Sequence, residues 1–235
     1  MNNLAIIPAR GGSQRIPGKN IKEFFGKPII AYSIELAINS KLFDEVMVST
    51  DSQEIASVVR MFGASVPFIR SKTNSNNYAT LTDVILEVIQ NYTEQGKQID
   101  SICCILSTAA LLSQKRLLDA YNKFKENDFS SLIPVLRFTY PIQRALNEHS
   151  GLLQMREPEY IKSRTQDLEP FYHDSGQFYW IKTSEILKEK SIFTSKTGFI
   201  ELQDLEAQDV DTLMDWDMLK LKFSLKNHNS YGYTT

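Results

Sequence analysis

Between Pro8 and Asn20 the chain sets three glycines (Gly11, Gly12, Gly18) among three cations (Arg10, Arg15, Lys19). Glycines let the backbone approach closely and turn its N–H groups toward one point, and fixed cations neutralise anionic oxygens. That combination suits a polyanion, and a nucleoside triphosphate is the expected cargo. Two common phosphate loops do not fit. The dinucleotide pattern G-x-G-x-x-G fails because Gly11 and Gly12 are adjacent and the next glycine is Gly18. A Walker loop needs four residues between its glycines and a hydroxyl after the lysine; here five intervene, and Asn20 follows Lys19.

A second constellation is Asp209 and Asp211. Carboxylates two apart on an extended segment project to one side, which suits a hard divalent cation such as Mg²⁺ that bridges triphosphate oxygens. The same residues also read as a helix start, with Asp211 as cap and Thr212 and Asp215 as a capping box. Asp51, closing Ser49-Thr50-Asp51, is either a ligand contact or a helix cap. Cys103 and Cys104 are adjacent in an apolar stretch, which reads as a reduced core strand, and His149, His173 and His228 have no zinc-ligand spacing.

The run Ile6 to Asn20 resembles the N-terminal signature of the CMP-sialic acid synthetase, or acylneuraminate cytidylyltransferase, family, close to I-P-A-R-G-G-S-K-x-x-P-x-K-N. One charged position differs, Gln14 standing for lysine. The resemblance implies nucleotide contacts at Ala9, Arg10, Gly11, Gly12, Ser13, Gln14, Lys19 and Asn20, with Arg10 and Lys19 meeting charge on departing pyrophosphate. Arg15 supplying the charge that Gln14 lacks, and a slower enzyme, both stay open. It further implies nucleotide contacts at Arg70, Thr80 and Thr108, a catalytic Asp211, and Mg²⁺ on Asp209 and Asp211. Thr80 also reads simply as a helix cap. Asn76 and Asn77 replace the family's acidic pair.

Leu106 stands where sialic acid synthetases carry the glutamine that touches the sugar. This, with Phe138–Leu146 and Arg164–Trp180, is similar to the family branch acting on pseudaminic acid. Gln143, Arg144, Arg164, His173 and Gln177 are then the expected sugar contacts: arginines fork onto a carboxylate, and amides and imidazole bond polar substituents. The alternating aromatics from Gln177 to Trp180 also read as a core strand. The implied reaction is CMP transfer from CTP to pseudaminic acid with release of pyrophosphate. Competing expectations are the same reaction on N-acetylneuraminic or legionaminic acid, and a nucleotide-binding homologue without catalysis.

These residues need a scaffold. At 235 residues, 42% hydrophobic and formal charge −2, the chain has the length for one sizeable core and no basic excess for nucleic acid. No apolar run approaches ~20 residues and no signal peptide pattern opens the chain, so a cytoplasmic protein is expected, with no membrane contact. Apolar runs and amphipathic stretches alternate: strands at 4–7, 45–49 and 99–106, and helices at 28–39, 52–61, 80–92 and 114–125. From 130 to 200 the pattern becomes aromatic and irregular, which reads as mixed or antiparallel strands plus an inserted substructure, before a closing helix from Thr212 to about Leu225 and a polar tail after Asn227 expected to fray. The alternation predicts a three-layer α/β, Rossmann-like domain with a mainly parallel sheet. The resemblance refines it to the nucleotide-diphospho-sugar transferase fold over 1–235, with an inserted dimerisation and substrate-covering element at about 137–172, and a homodimer. Ligands of such sheets gather beyond the carboxyl ends of the strands. That rule gathers 10–20, 49–51 and 107–111 on one rim.

Overall fold

A computed structural model describes residues 2–229. The chain runs β1 (Asn3–Pro8), β2 (Glu23–Phe24), β3 (Lys27–Pro28), α1 (Ile29–Ser40), β4 (Glu45–Ser49), α2 (Gln53–Met61), α3 (Leu81–Glu94) and β5 (Ser101–Ile105). It continues through α4 (Gln114–Glu126), β6 (Ser131–Arg137), β7 (Leu146–His149), β8 (Leu152–Met155), β9 (Tyr172–Asp174), β10 (Phe178–Lys182), α5 (Thr183–Glu189), β11 (Thr197–Glu201) and α6 (Leu213–Asn229). The central sheet has the order β11-β6-β10-β5-β1-β4, with β9 beside the far end of β6. β4, β1 and β5 pair in parallel, as do β6 and β11, whereas β10 lies antiparallel between β5 and β6. The aromatic run from Phe178 is thus a central strand.

Both faces of the sheet are covered, which is why β1 and β5 are apolar without alternation. Ala5, Ile7, Cys103, Ile105 and Trp180 pack with α1, α2 and α4 on one face. Leu4, Ile6, Cys104, Tyr179 and Ile181 pack with α3 and α5 on the other. Burial pushes the Cys104 thiol up to about 12 and raises Cys103 as well, so both stay protonated and inert. A third cluster seats Trp216 and Leu219 of α6 against Ile16, Phe24 and Val210, bringing the C-terminal segment beside the glycine loop.

Caps decide several boundaries. Ser52 accepts from the Ile55 N–H at 3.3 Å and Thr80 from the Asp83 N–H at 3.2 Å, so both residues precede their helices. Pro28, expected in the first turn of α1, instead sits outside it with extended ψ, paired to Glu23 across the β2–β3 hairpin. The expected inserted element leaves the sheet at Arg137 and returns at Tyr172, and these two residues pair with one another. Between them stands the exposed β7–β8 hairpin, turned by Ser150 and Gly151, both at positive φ. α6 extends to Asn229, and the remainder of the tail expected to fray, 230–235, lies outside the described residues.

Gly198 on β11 is a packing requirement, because a Cβ there would fall 2.3 Å from the Phe129 ring. Gly198→Ala is expected to lower stability by roughly 1–3 kcal/mol, as overpacking does. Urea unfolding checks this, and Phe129→Ala in the same chain should recover part of the loss.

Candidate active site

A cleft of about 630 Å³ opens beyond the carboxyl ends of β1 and β5, where the strand order reverses. Arg10, Ser13, Gln14, Arg15, Lys19 and Asn20 line one side, Arg70, Asn77, Thr80, Ser107 and Thr108 another, and Asp209 and Asp211 a third. Separate loops therefore meet at one place, as the rim rule implies.

The glycine loop is pinned from below. Ala9, fully buried, donates its N–H to Ser49 O at 2.9 Å, and the Gly11 N–H donates to the Asp51 carboxylate at 2.7 Å. Asp51 thus anchors the loop, while Ser52 is the cap of α2. A Cβ on Gly11 would meet the Ser52 Cβ at 3.1 Å, so this glycine serves close packing, and neither it, Ala9 nor Gly12 lines the cleft. Asn20, 5% exposed, donates to Arg10 O at 2.8 Å and accepts from the Ser107 hydroxyl at 2.6 Å. It ties the loop after β1 to the loop after β5.

Four cations face the cleft under different restraints. Arg70 is buried and donates to the Ser49 hydroxyl at 2.9 Å and to its carbonyl, so it braces the end of β4. Arg10 donates to Asn77 Oδ1 at 2.9 Å and Asn76 O at 3.2 Å, both neutral. Lys19 donates to Val210 O at 2.5 Å and stands 4.0 Å from Asp211. Burial pulls the Lys19 ammonium below its usual range, while Asp211 and Asp209 oppose that shift. Arg15 forms an ion pair with Asp211 at 2.6 Å.

The two carboxylates differ. Burial and the neighbouring Asp211 push the Asp209 carboxyl up, and its Oδ1 accepts the Val210 N–H at 2.8 Å. Gly176, at φ 63°, lies so close that a Cβ would sit 3.2 Å from the Asp209 carboxyl carbon. Asp211 is not the cap of α6: Asp215 takes the Thr212 N–H at 2.7 Å and donates its own N–H to the Thr212 hydroxyl at 3.3 Å. The Asp211 side chain is left to the cleft. Among the described residues no three acidic, histidine or cysteine side chains gather into a complete metal cage. Two cleft-facing carboxylates, one of them desolvated, fit a cation such as Mg²⁺ that takes its other ligands from water and phosphate.

None of the expected sugar contacts lines this cleft, and each makes a hydrogen bond within the protein. Gln143 donates to Glu169 O at 2.9 Å, and Arg144 to Ser163 O. Arg164 pairs with Asp167 at 2.7 Å, and His173 Nδ1 bonds Asp174 O at 2.9 Å beside the Phe138 ring. Gln177 is buried beneath the acidic segment and donates to Gln208 O at 3.3 Å. That segment is further clamped by Arg116, which forks onto Glu206 at 2.8 and 2.9 Å, and by Lys222, which donates to Ala207 O at 2.9 Å. Ser107 lies on the rim where the loop after β5 is expected, whereas the Arg10–Asn77 contact and the Arg116–Glu206 pair have no signal in the sequence.

Comparison with known proteins gives a consistent grouping. A family model described as "Cytidylyltransferase" matches residues 4–227. A pseudaminic acid cytidylyltransferase of Campylobacter jejuni is 44% identical over 232 residues, covering 98% of this chain and 99% of the relative. A CMP-N,N'-diacetyllegionaminic acid synthase of Legionella pneumophila is 31% identical, covering 92% and 94%. In fold, the chain is similar to CMP:2-keto-3-deoxy-manno-octonic acid synthetase complexed with CTP, at TM-score 0.69 and 16% identity over 96% of this chain and all of that one.

Burial works to raise the Glu206 carboxyl, but bonds from Arg116 and the Gln203 N–H outweigh it and hold the group below the usual range. A depressed carboxylate stabilises above its unfolded pKa, and that contribution fades as pH falls through the folded value. Glu206→Gln is therefore expected to cost about 1 kcal/mol at neutral pH. Urea unfolding should show the gap between the two proteins narrowing below pH ~4.3; a gap constant to pH 3 would contradict the assignment.

Proposed function

We propose, since this chain belongs to the cytidylyltransferase family, that it transfers CMP from CTP to the anomeric hydroxyl of pseudaminic acid and releases pyrophosphate. The sugar oxygen bonds to the α-phosphorus as the bond from that phosphorus to the bridging oxygen breaks, and the hydroxyl proton passes to solvent. The observation that carries this reading is that Arg10, Arg15 and Lys19 line one cleft together with Asp209 and Asp211. Cations on one wall suit the triphosphate, and the carboxylates suit its counter-ion.

Each residue has a task in that reaction. Arg10 and Lys19 stabilise charge growing on the departing pyrophosphate, and Asn20 and Asp51 hold their loop against the strands. Ser13 and Gln14 offer a hydroxyl and an amide to phosphate oxygens, and Arg70, Thr80 and Thr108 bound the nucleoside end. Mg²⁺ on Asp209 and Asp211 would neutralise triphosphate oxygens when bound. Most of the acceleration then comes from positioning and electrostatics, with no covalent intermediate. Leu106 on the cleft wall supports a sugar other than N-acetylneuraminate, in keeping with the 44% identity to pseudaminic acid enzymes.

We also propose that the chain is one catalytic domain that pairs with a second copy through the element at about 137–172. Leu146, Leu152 and Leu153 on its hairpin are more than half exposed, which supports a covered surface in the assembled enzyme. No helix among the described residues is long and apolar enough to cross a membrane, and a CTP-using enzyme fits the cytoplasm.

Pyrophosphate release from CTP and Mg²⁺ should require pseudaminic acid, with N-acetylneuraminic acid, legionaminic acid and a no-sugar control far slower. Preference for another of these sugars would overturn the substrate, and silence with all three despite CTP binding would overturn catalysis. Asp211→Ala at saturating Mg²⁺ is expected to lower turnover at least ~100-fold, and retained turnover would remove Asp211 from the mechanism.

A further inference from the structure

Asp174 closes β9 as an exposed residue, yet both of its carboxylate oxygens are taken. One accepts the hydroxyl of Tyr179, which is 4% exposed, at 2.7 Å, and the other accepts the Gly176 N–H at 2.9 Å. Bonds to an ionised acceptor are roughly twice as strong as neutral ones. Asp174 is thus fixed to the central strand β10, and it fixes Gly176 in turn. The roles given to the cleft residues use neither Asp174 nor Tyr179.

Gly176 is where this turn meets the acidic segment. Its φ of 63° is left-handed, and a Cβ there would stand 3.2 Å from the Asp209 carboxyl carbon, so bare backbone seats that carboxylate. The Gln177 amide nitrogen lies 3.0 Å from Gly176 O and 3.3 Å from Gln208 O, which ties the turn to the residue before Asp209. Among the described residues the Asp209 side chain accepts one hydrogen bond, from the adjacent Val210 N–H. Its orientation therefore depends on what it packs against, and that is the Gly176 turn.

We propose that Asp174 is a positioning residue for Asp209: through the Gly176 turn it holds that carboxylate where a divalent cation is bound. This rests on the reading of Asp209 and Asp211 as the ligands of the cation. Partners that orient a metal ligand matter even though they never touch the metal, and losing one typically costs about 10–100-fold in affinity.

Calorimetric binding of CTP to the full chain without sugar, once in Mn²⁺ and once in a chelator, tests it without turnover. The ratio of the two affinities reads the contribution of the cation. Asp174→Ala should lower that ratio about tenfold while binding CTP in chelator as the wild type does. Asp174→Asn keeps an acceptor for the Gly176 N–H and a polar partner for Tyr179, and should hold the ratio near the wild-type value. Gly176→Ala presses on Asp209 from the same turn and should lower the ratio as Asp174→Ala does. Circular dichroism melts and the chelator affinity together confirm that each variant is folded. A ratio unchanged in Asp174→Ala overturns the proposal. So does an equal fall in Asp174→Asn, which would make the charge of Asp174, and not its hydrogen bonds, the effective property. A wild type whose CTP affinity Mn²⁺ does not raise would overturn the cation reading and the proposal together, whereas a wild-type rise that Asp174→Ala retains overturns the proposal alone.

Discussion

The ammonium of Lys19 meets the carbonyl of Val210 and faces Asp211, and this junction joins two segments about 190 residues apart. Everything in the cleft depends on it. A cationic loop alone is a flexible anion trap, and an acidic turn alone is a solvated helix start. Held against each other, they bring cations and carboxylates into contact on one cleft, Arg15 at 2.6 Å and Lys19 at 4.0 Å from Asp211. Burial lowers the Lys19 ammonium from its usual range, and Asp211 and Asp209 oppose that shift. The apolar seat of Trp216 and Leu219 against Ile16 and Phe24 holds the acidic segment beside the glycine loop.

Which side chains remain free for a ligand follows from which are needed by the backbone. Buried polar groups require partners, and the loops around the cleft supply them internally. Asp51 takes the Gly11 N–H, Asn20 bridges Arg10 O and Ser107, and Asp215 takes the start of α6. Asp51 and Asn20 look like ligand contacts in a one-dimensional reading because they are polar and close to the motif. In the fold they brace the loops that line the cleft. Arg10 and Asp211 keep polar atoms toward the cleft because other residues have met the structural demand beside them.

Much of this was legible in the chain itself, and the limits have physical causes. The strand at 45–49 and the helices ending at Met61 and near Glu126 were readable because caps and apolar spacing are local signals. The rim of three loops followed from parallel topology. The irregular stretch from 130 to 200 reads as mixed or antiparallel strands, and β10 does run antiparallel; its place between β5 and β6 was not readable, because strand order leaves no local pattern. Nor was the pairing of Arg15 with Asp211, 196 residues apart, because charge complementarity across a fold leaves no spacing rule. Gln143, Arg144, Arg164 and His173 sat in polar-aromatic stretches that suit a sugar. In the folded chain each of them bonds a nearby carbonyl or carboxylate, a choice that composition cannot express.

The β-sheet closes with β11 at Glu201, yet Asp209, Asp211 and α6 are still to come. On a ribosome, every strand can thus be in place while one wall of the cleft is missing. A chain at that stage has its glycine loop without the carboxylates that oppose it, and without the Val210 carbonyl that orients Lys19. The segment that carries Asp209 and Asp211 is thus the last part of the cleft to be synthesised, after every strand of the sheet.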